Sequence, residues 1–387
     1  MLRLVEKLPE SDSRYIYGQR LRDARLLRGH SAKDTASQLG VGPVRYSRME
    51  NAAEPVAVNE DEARKISDVL QFSAEYFSTP VSGHVTSNDL CFRAKKAQTK
   101  TAVEVMTSWA SVCDDLLRAA FEEVRPVPVA LPDFPFGTAP EVAAEKVRNL
   151  WGFSSDEPIA HLTRRMERSG IYIFSAPFDT GAANHHDAVS LWVGPRREYP
   201  IVLLRHIDSW ERIRMSLAHE AGHLVLHRFG KTESAEDEAF AFGSALLMPP
   251  AAFRAQWPVT VTLGTLQPLK LRWGVSLAAV IERGYRMGLL DQGSRTSLYK
   301  QLSRRDRRTG LTLRVQEPGW DEREPERPLL VSKLLDGRFG TTASLDEIRD
   351  AAAHRPVEFV RPLLEGQYKV KPELGNVRAF PSRPAAG

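Results

Sequence analysis

Residues 208–230, DSWERIRMSLAHEAGHLVLHRFG, decide how this chain is read. Ile213, Leu217, Ala221 and Leu224 recur at i, i+4, i+8 and i+11, which is the apolar stripe of one long helix. His219, Glu220, His223 and His227 sit in its second half. His219 and His223 are four residues apart, so on a helix they project from one face a turn apart, close enough for both imidazoles to hold one tetrahedral zinc ion. Glu220 lies one residue round, placed to touch an attacking water rather than the ion. H-E-x-x-H is the pattern of metallopeptidases, in which zinc polarises the scissile carbonyl and the glutamate carries the water's proton to the leaving amine. The competing reading is a buried polar helix with no metal. Three ionisable groups beside an apolar stripe would be costly to bury unpaired, and that favours zinc.

Such a site needs a third ligand. On a continuous helix His227 lies about 12 Å along the axis from His219, too far for bonds of about 2 Å to reach one ion. The three-histidine pattern H-E-x-x-H-x-x-G-x-x-H would need histidine where this chain has Phe229. His227 is then expected to interact with the helix C-terminus or to orient a neighbouring group. A carboxylate from the next element is the remaining source. TESAEDEAFAFGSALLMPP, residues 232–250, offers Glu233, Glu236, Asp237 and Glu238 ahead of a helix apolar on nearly every face. Spacing does not separate them, because Glu236 and Glu238 both continue into apolar rows.

Upstream, EVAAEKVRNLWGF (141–153) and SDEPIAHLTRRMERSG (155–170) have helical patterns. IYIFSAPFD, DAVSLWVG and YPIVLLRH are short β-branched and aromatic runs, the last two joined by the tight GPRRE connection, and predict a small sheet. Asn184, His185, His186 and Asp187 form a second metal-like string that opens a strand; a loop is the simpler reading, with Asp187 supporting the site or ending a substrate groove. Downstream, RWGVSLAAVIERGYRMGLL is helical and is expected to pack beside the site. Lys300, Arg304, Arg305, Arg307 and Arg308 form a basic run, read as a solvated helix end or an extension of a nucleic-acid footprint.

HEAGHLVLH followed by EDEAFAFGSALLMP resembles the ImmA/IrrE family of intracellular zinc peptidases, and the resemblance extends over most of residues 85–305. It implies a mainly helical, zincin-like domain with a small β-sheet, zinc (Zn2+) as cofactor, Glu220 as catalytic base, and Glu236 as third ligand beside His219 and His223. In that family the third ligand stands twelve residues before the methionine of LLMP. The family's usual polar residue within E-x-x-A-N-x-F-A is Phe240 here.

Positive charge is concentrated near the start. From Arg14 to Glu50 there are eight basic residues against three acidic ones, a local excess of five in a chain whose net charge is +4. The segment breaks into short helices. Tyr17, Leu21 and Ala24 face inward on the first; Ser31 caps a second bearing Ala36 and Leu39; Pro43 opens a third bearing Tyr46 and Met49. A fourth carries Ala63, Ile66 and Val69 or Leu70, with acids at its N-terminus where the helix dipole favours them. Helices two and three, with the turn containing Gly40, have the proportions of a helix-turn-helix whose third helix enters the major groove. RLRDARLLRGHSAKDTASQLGVGPVRYSRMEN and LQFSAEYF resemble the DNA-binding domain of XRE-type repressors. That implies base or phosphate contacts from Arg45 and Arg48, flanked by Val44 and Ser47, and phosphate clamps at Arg20, Arg22 and Lys33. A helical bundle used for dimerisation is the plainer alternative.

The expected fold class is α+β: an all-α helix-turn-helix domain (14–78), then a hinge, an amphipathic helix and a connector with five prolines between residues 126 and 140 (79–140). The peptidase-like domain follows (141–310), and a C-terminal extension ends in a tail expected to be mobile (311–387). Hydrophobic residues make up 42% and charged residues 26%, and no apolar run is long enough to span a bilayer. The two cysteines, Cys91 and Cys113, form no C-x-x-C pair, and no signal peptide opens the chain, so a cytoplasmic location is expected. The expected function is a DNA-binding regulator with a zinc endopeptidase that cleaves a repressor, as in stress-response regulators. Its expected partners are double-stranded DNA, that repressor and a second copy of the chain. The alternative is a transcription factor whose zinc domain is a non-proteolytic sensor.

Overall fold

A computed structural model describes residues 13–81, 100–175, 187–205, 209–230, 232–305, 310–341 and 344–364. Cys91, Asn184, His185, His186, Arg307, Arg308 and the tail after 364 lie outside the described residues.

The N-terminal unit comprises β1 (Ser13–Ile16), α1 (Gly18–Leu27), α2 (Ala32–Leu39), α3 (Pro43–Glu50), β2 (Val56–Asn59), α4 (Glu60–Leu70) and α5 (Ala74–Ser78). Its caps follow the expected chemistry. The Ser31 side chain accepts from Asp34 N–H, Gly40 ends α2 in the left-handed region, and Asn59 and Glu62 form a capping box on α4. Leu21, Ala24, Ala36, Leu39, Tyr46, Met49, Ala63, Ile66 and Leu70 are all buried, with Leu70 rather than Val69 taking the innermost place on α4. The unit is not all-α: β1 and β2 pair antiparallel from Ser13↔Asn59 to Ile16↔Val56.

Helix α6 (Lys100–Phe121) follows, then the Pro-rich segment, then α7 (Pro140–Leu150) and α8 (Leu162–Arg168). The segment 155–161 stays non-helical, as Pro158 within it requires. Strands β3 (Tyr172–Ser175), β4 (Ala188–Val193) and β5 (Tyr199–Leu204) form a sheet in the order β3-β5-β4, with β3 parallel and β4 antiparallel to β5. Helices α9 (Trp210–Leu226), α10 (Ala235–Leu247), α11 (Pro250–Ala255), α12 (Leu263–Trp273), α13 (Leu277–Arg286) and α14 (Gln292–Leu302) complete the peptidase-like part. The extension adds α15 (Leu330–Phe339), α16 (Leu345–Ala351) and α17 (Val357–Leu364).

The three strands are apolar nearly throughout because both faces of the sheet are covered. Ile173, Ala188, Trp192, Val202 and Leu204 face one core with α7 to α14. Tyr172, Phe174, Val189, Leu191, Val193, Ile201 and Leu203 face a second core with α6, α15 to α17 and the whole N-terminal unit. Helix α6 is the helix expected here, and its polar face is turned inward with the rest. It is buried all round, and its polar face is short or ion-paired: Ser108, Ser111 and Asp115 face Asp23 and Arg20 of α1 and Arg355. Polar groups that find partners in this way can be buried.

Candidate metal centre

The site is made where α9 and α10 cross. Ser209 caps α9, accepting from Arg212 N–H, and Ile213, Leu217, Ala221 and Leu224 are buried as the stripe requires. Two glycines let the helices touch backbone to backbone. A Cβ on Gly222 would lie 3.1 Å from the Ala239 backbone and 3.0 Å from the Phe242 ring. One on Gly243 would lie 2.9 Å from Ala218 C and His219 N. That approach delivers the first turn of α10 to the histidines.

Of the four candidate carboxylates, Glu236 arrives. Its oxygens lie 3.5 Å from His219 Nε2 and 3.4 Å from His223 Nε2, and the two imidazole nitrogens are 3.0 Å apart. In a tetrahedral zinc site with bonds of about 2.0–2.1 Å, neighbouring ligand atoms stand about 3.3–3.4 Å apart, so this donor set fits one zinc ion. It is the only such His/Cys/Asp/Glu group among the described residues. Glu238 points elsewhere, to His227, while Asp237 pairs with Arg286 and Glu233 is exposed. Burial holds His223 down at about 4, so it is a neutral imidazole at pH 7, the form that ligates.

Glu220 is buried and accepts the Ser190 hydroxyl at 2.6 Å. Ser190 comes from β4, the edge strand of the described sheet, on the face it turns to α9. Burial pushes the Glu220 carboxyl up to about 7, against the lowering influence of His219 and Ser190. Side chains of His219 and Glu236 are each 21% exposed, so the cluster opens to solvent on their side. Ser190 was missed by sequence reasoning, and a lone serine in an apolar strand carries no signal for it. His227 caps α9 behind His223, its backbone N–H bonded to His223 O. Asp187 ties β4 to Arg205 and Arg212, accepting from each at 2.8 Å.

The helix-turn-helix side chains divide. Lys33, Val44, Arg45, Ser47 and Arg48 are exposed, the last four on the outer face of α3. Arg45 rests against Glu62 with its side chain 57% exposed. Arg20 does not belong with them: it is fully buried, holds Asp115 with both guanidinium nitrogens, and also donates to the Thr79 and Pro80 carbonyls. Arg22, half-buried, reaches Glu104 of α6 at 2.8 Å. Arg25 and Arg28 are likewise engaged, with Glu50 and with Glu358. Several of the segment's arginines are therefore engaged in ion pairs within the molecule, and Arg20, which is fully buried, is withdrawn as a phosphate clamp.

Fold and site together define a helix-turn-helix protein that carries a metallopeptidase-like domain. Comparison with family models finds a match for each of two segments. Residues 166–284 match the M78 peptidase family, described as IrrE N-terminal-like domain, and residues 21–77 match the helix-turn-helix family. The chain thus joins a segment that matches the helix-turn-helix family to a later segment that matches the IrrE-like M78 family. No curated protein matches it. No described helix is long and apolar enough to cross a membrane.

Proposed function

We propose that this chain is a DNA-binding regulator whose IrrE-like domain is a zinc-dependent endopeptidase acting on a transcriptional repressor or a similar regulatory protein. The observation that carries the reading is the convergence of His219, His223 and Glu236 on one point beside the buried Glu220 carboxylate. Zinc held by those three residues would supply Lewis-acid activation of a peptide carbonyl and of the attacking water. His219 and Glu236 line the open side, where a peptide carbonyl would enter. The Ser190 hydroxyl fixes one Glu220 oxygen, and the other is left to take the water's proton and deliver it to the leaving amine. An extended substrate laid along β4 would gain main-chain hydrogen bonds at the sheet edge while its scissile bond passed Glu220.

For the DNA-binding half, the outer face of α3, with Lys33 beside it, is the surface we assign to the duplex. The reading is tested by incubating zinc-loaded protein with candidate repressors beside Glu220→Gln. Cleavage by the wild type alone is expected, with zinc content retained in the variant; equal cleavage by both proteins would sink the assignment. A sensory reading draws support from the core shared by the helix-turn-helix unit and the back of the sheet. It predicts DNA binding that survives Glu220→Gln and responds to zinc, with no cleaved product.

A further inference from the structure

His227 lies outside the donor set, yet it is buried and bonded at both ring nitrogens. Its Nδ1 lies 3.0 Å from His223 Nδ1, and its Nε2 lies 3.0 Å from Glu238 Oε2. The other Glu238 oxygen accepts the hydroxyls of Thr232, at 2.8 Å, and Ser234, at 2.7 Å. Glu236 and Glu238 are two residues apart on the first turn of α10 and so diverge around the helix, one reaching the ligand nitrogens and the other passing behind His223.

Only one arrangement of protons satisfies this chain of contacts while leaving a lone pair for an ion. His223 presents Nε2 to His219 and Glu236, so as a neutral ligand it must carry its proton on Nδ1. That N–H points at His227 Nδ1, which must therefore accept. The His227 proton is then on Nε2, where it is donated to the Glu238 carboxylate. Exchanging the His227 tautomer would set two N–H groups against each other at one end and a lone pair against a carboxylate at the other. We infer that His227 and Glu238 act as a positioning couple that fixes the tautomer and ring orientation of His223, and so presets the site for zinc. This rests on the zinc reading above. Partners behind a ligating histidine raise its basicity and hold its plane, and their loss costs about 10- to 100-fold in metal affinity.

The experiment measures zinc dissociation by chelator competition for the full chain and for His227→Leu, His227→Gln, Glu238→Gln and the double variant His227→Leu/Glu238→Gln. Leucine fills the space but neither accepts nor donates, so about 10- to 100-fold weaker zinc binding is expected. Glutamine can accept from His223 and donate to Glu238, so His227→Gln should recover most of that loss. The double variant should be no weaker than His227→Leu, since the couple acts as one unit. The cobalt-substituted protein should show a shifted absorption band in His227→Leu and a wild-type-like one in His227→Gln, and 15N spectra of the zinc form should show His227 protonated at Nε2. A merely structural pin between α9 and α10 would move metal-free thermal stability instead and leave the band and the tautomer alone. Zinc binding by His227→Leu within twofold of wild type, or a His227 proton on Nδ1, would overturn the positioning role while leaving the zinc site standing. Wild type that binds no zinc would overturn both. If His227→Leu does not fold, Glu238→Gln, which keeps the shape of the side chain, carries the comparison with an expected weakening in the same direction.

Discussion

Arg20 and Arg48 lie in the same basic segment, yet burial assigns them opposite work. Arg48 is exposed on the outer face of α3, whereas Arg20 is closed inside the molecule against Asp115. Removing an exposed phosphate contact weakens DNA binding across sequences and lowers the salt slope by about one. Arg48→Ala and Arg45→Ala should therefore reduce affinity and flatten the salt dependence, measured by titrating binding against salt. Arg20→Ala should leave the slope alone and instead cost about 3–5 kcal/mol of stability, because it strips one partner from a buried ion pair. An unchanged denaturation midpoint in Arg20→Ala would count against that placement. Counting charges along the segment could not separate the two, since the partner of Arg20 stands 95 residues away. The proposed metal ligands are more legible. His219 and His223 share one helix face by spacing alone, but Glu236 stood apart from Glu238 only through family resemblance. Ser190 had no local signature at all, as it meets Glu220 across 30 residues of chain.

Helices α9 and α10 show how an element depends on what a residue lacks. Gly243 has no Cβ, and an added one would meet the backbone of Ala218 and His219 at 2.9 Å, so the helices would have to part. Gly243→Ala should then cost about 1–3 kcal/mol, typical of overpacking, and weaken zinc binding by drawing Glu236 away from the imidazoles. The check is chelator competition beside thermal unfolding of the metal-free protein. Unaltered zinc affinity would show that the helix separation does not set the ligand distances. The helical periods of α1 to α4 and α9 are readable because each keeps one apolar face. The β1–β2 ladder is not, since SRYI and VAVN are four-residue runs whose pairing is set by a partner forty or more residues away. Where the polar face of α6 goes is illegible for a related reason: it is satisfied by Arg20 and Arg355, and period alone does not tell a paired polar face from a wet one.

At the scale of the whole molecule, the sheet divides two cores, one shared with the helix-turn-helix unit and one holding the candidate metal centre. Ser190 faces Glu220, while its neighbours Val189 and Leu191 pack into the core that contains α1, α3, α6 and α17. Where α1 meets α6 lies a buried set of two arginines and two aspartates. Arg355 donates to Asp115 at 2.7 Å and stands 3.6 Å from Asp23, and Arg20 completes the set. Burial pushes Asp23 up, whereas Arg20 and Arg355 overcome burial at Asp115 and hold its carboxyl far below the usual carboxylate range. The helix-turn-helix unit is thus fastened to the back of the peptidase-like sheet by continuous apolar packing and paired charges, and the two halves should unfold in one transition. A ligand that binds only the folded state stabilises it by about 2.7 kcal/mol at a hundredfold excess over its Kd. Double-stranded DNA at that excess should therefore delay zinc release, followed with a chromophoric chelator, by the same free energy as it delays loss of helix, followed by circular dichroism. Asp115→Asn leaves Arg20 and Arg355 facing each other without their shared counter-charge. In that variant the two midpoints should separate, with DNA protecting helix alone. Midpoints already separate in the wild type, or DNA protection of zinc that survives Asp115→Asn in full, would contradict a coupling carried through this buried set.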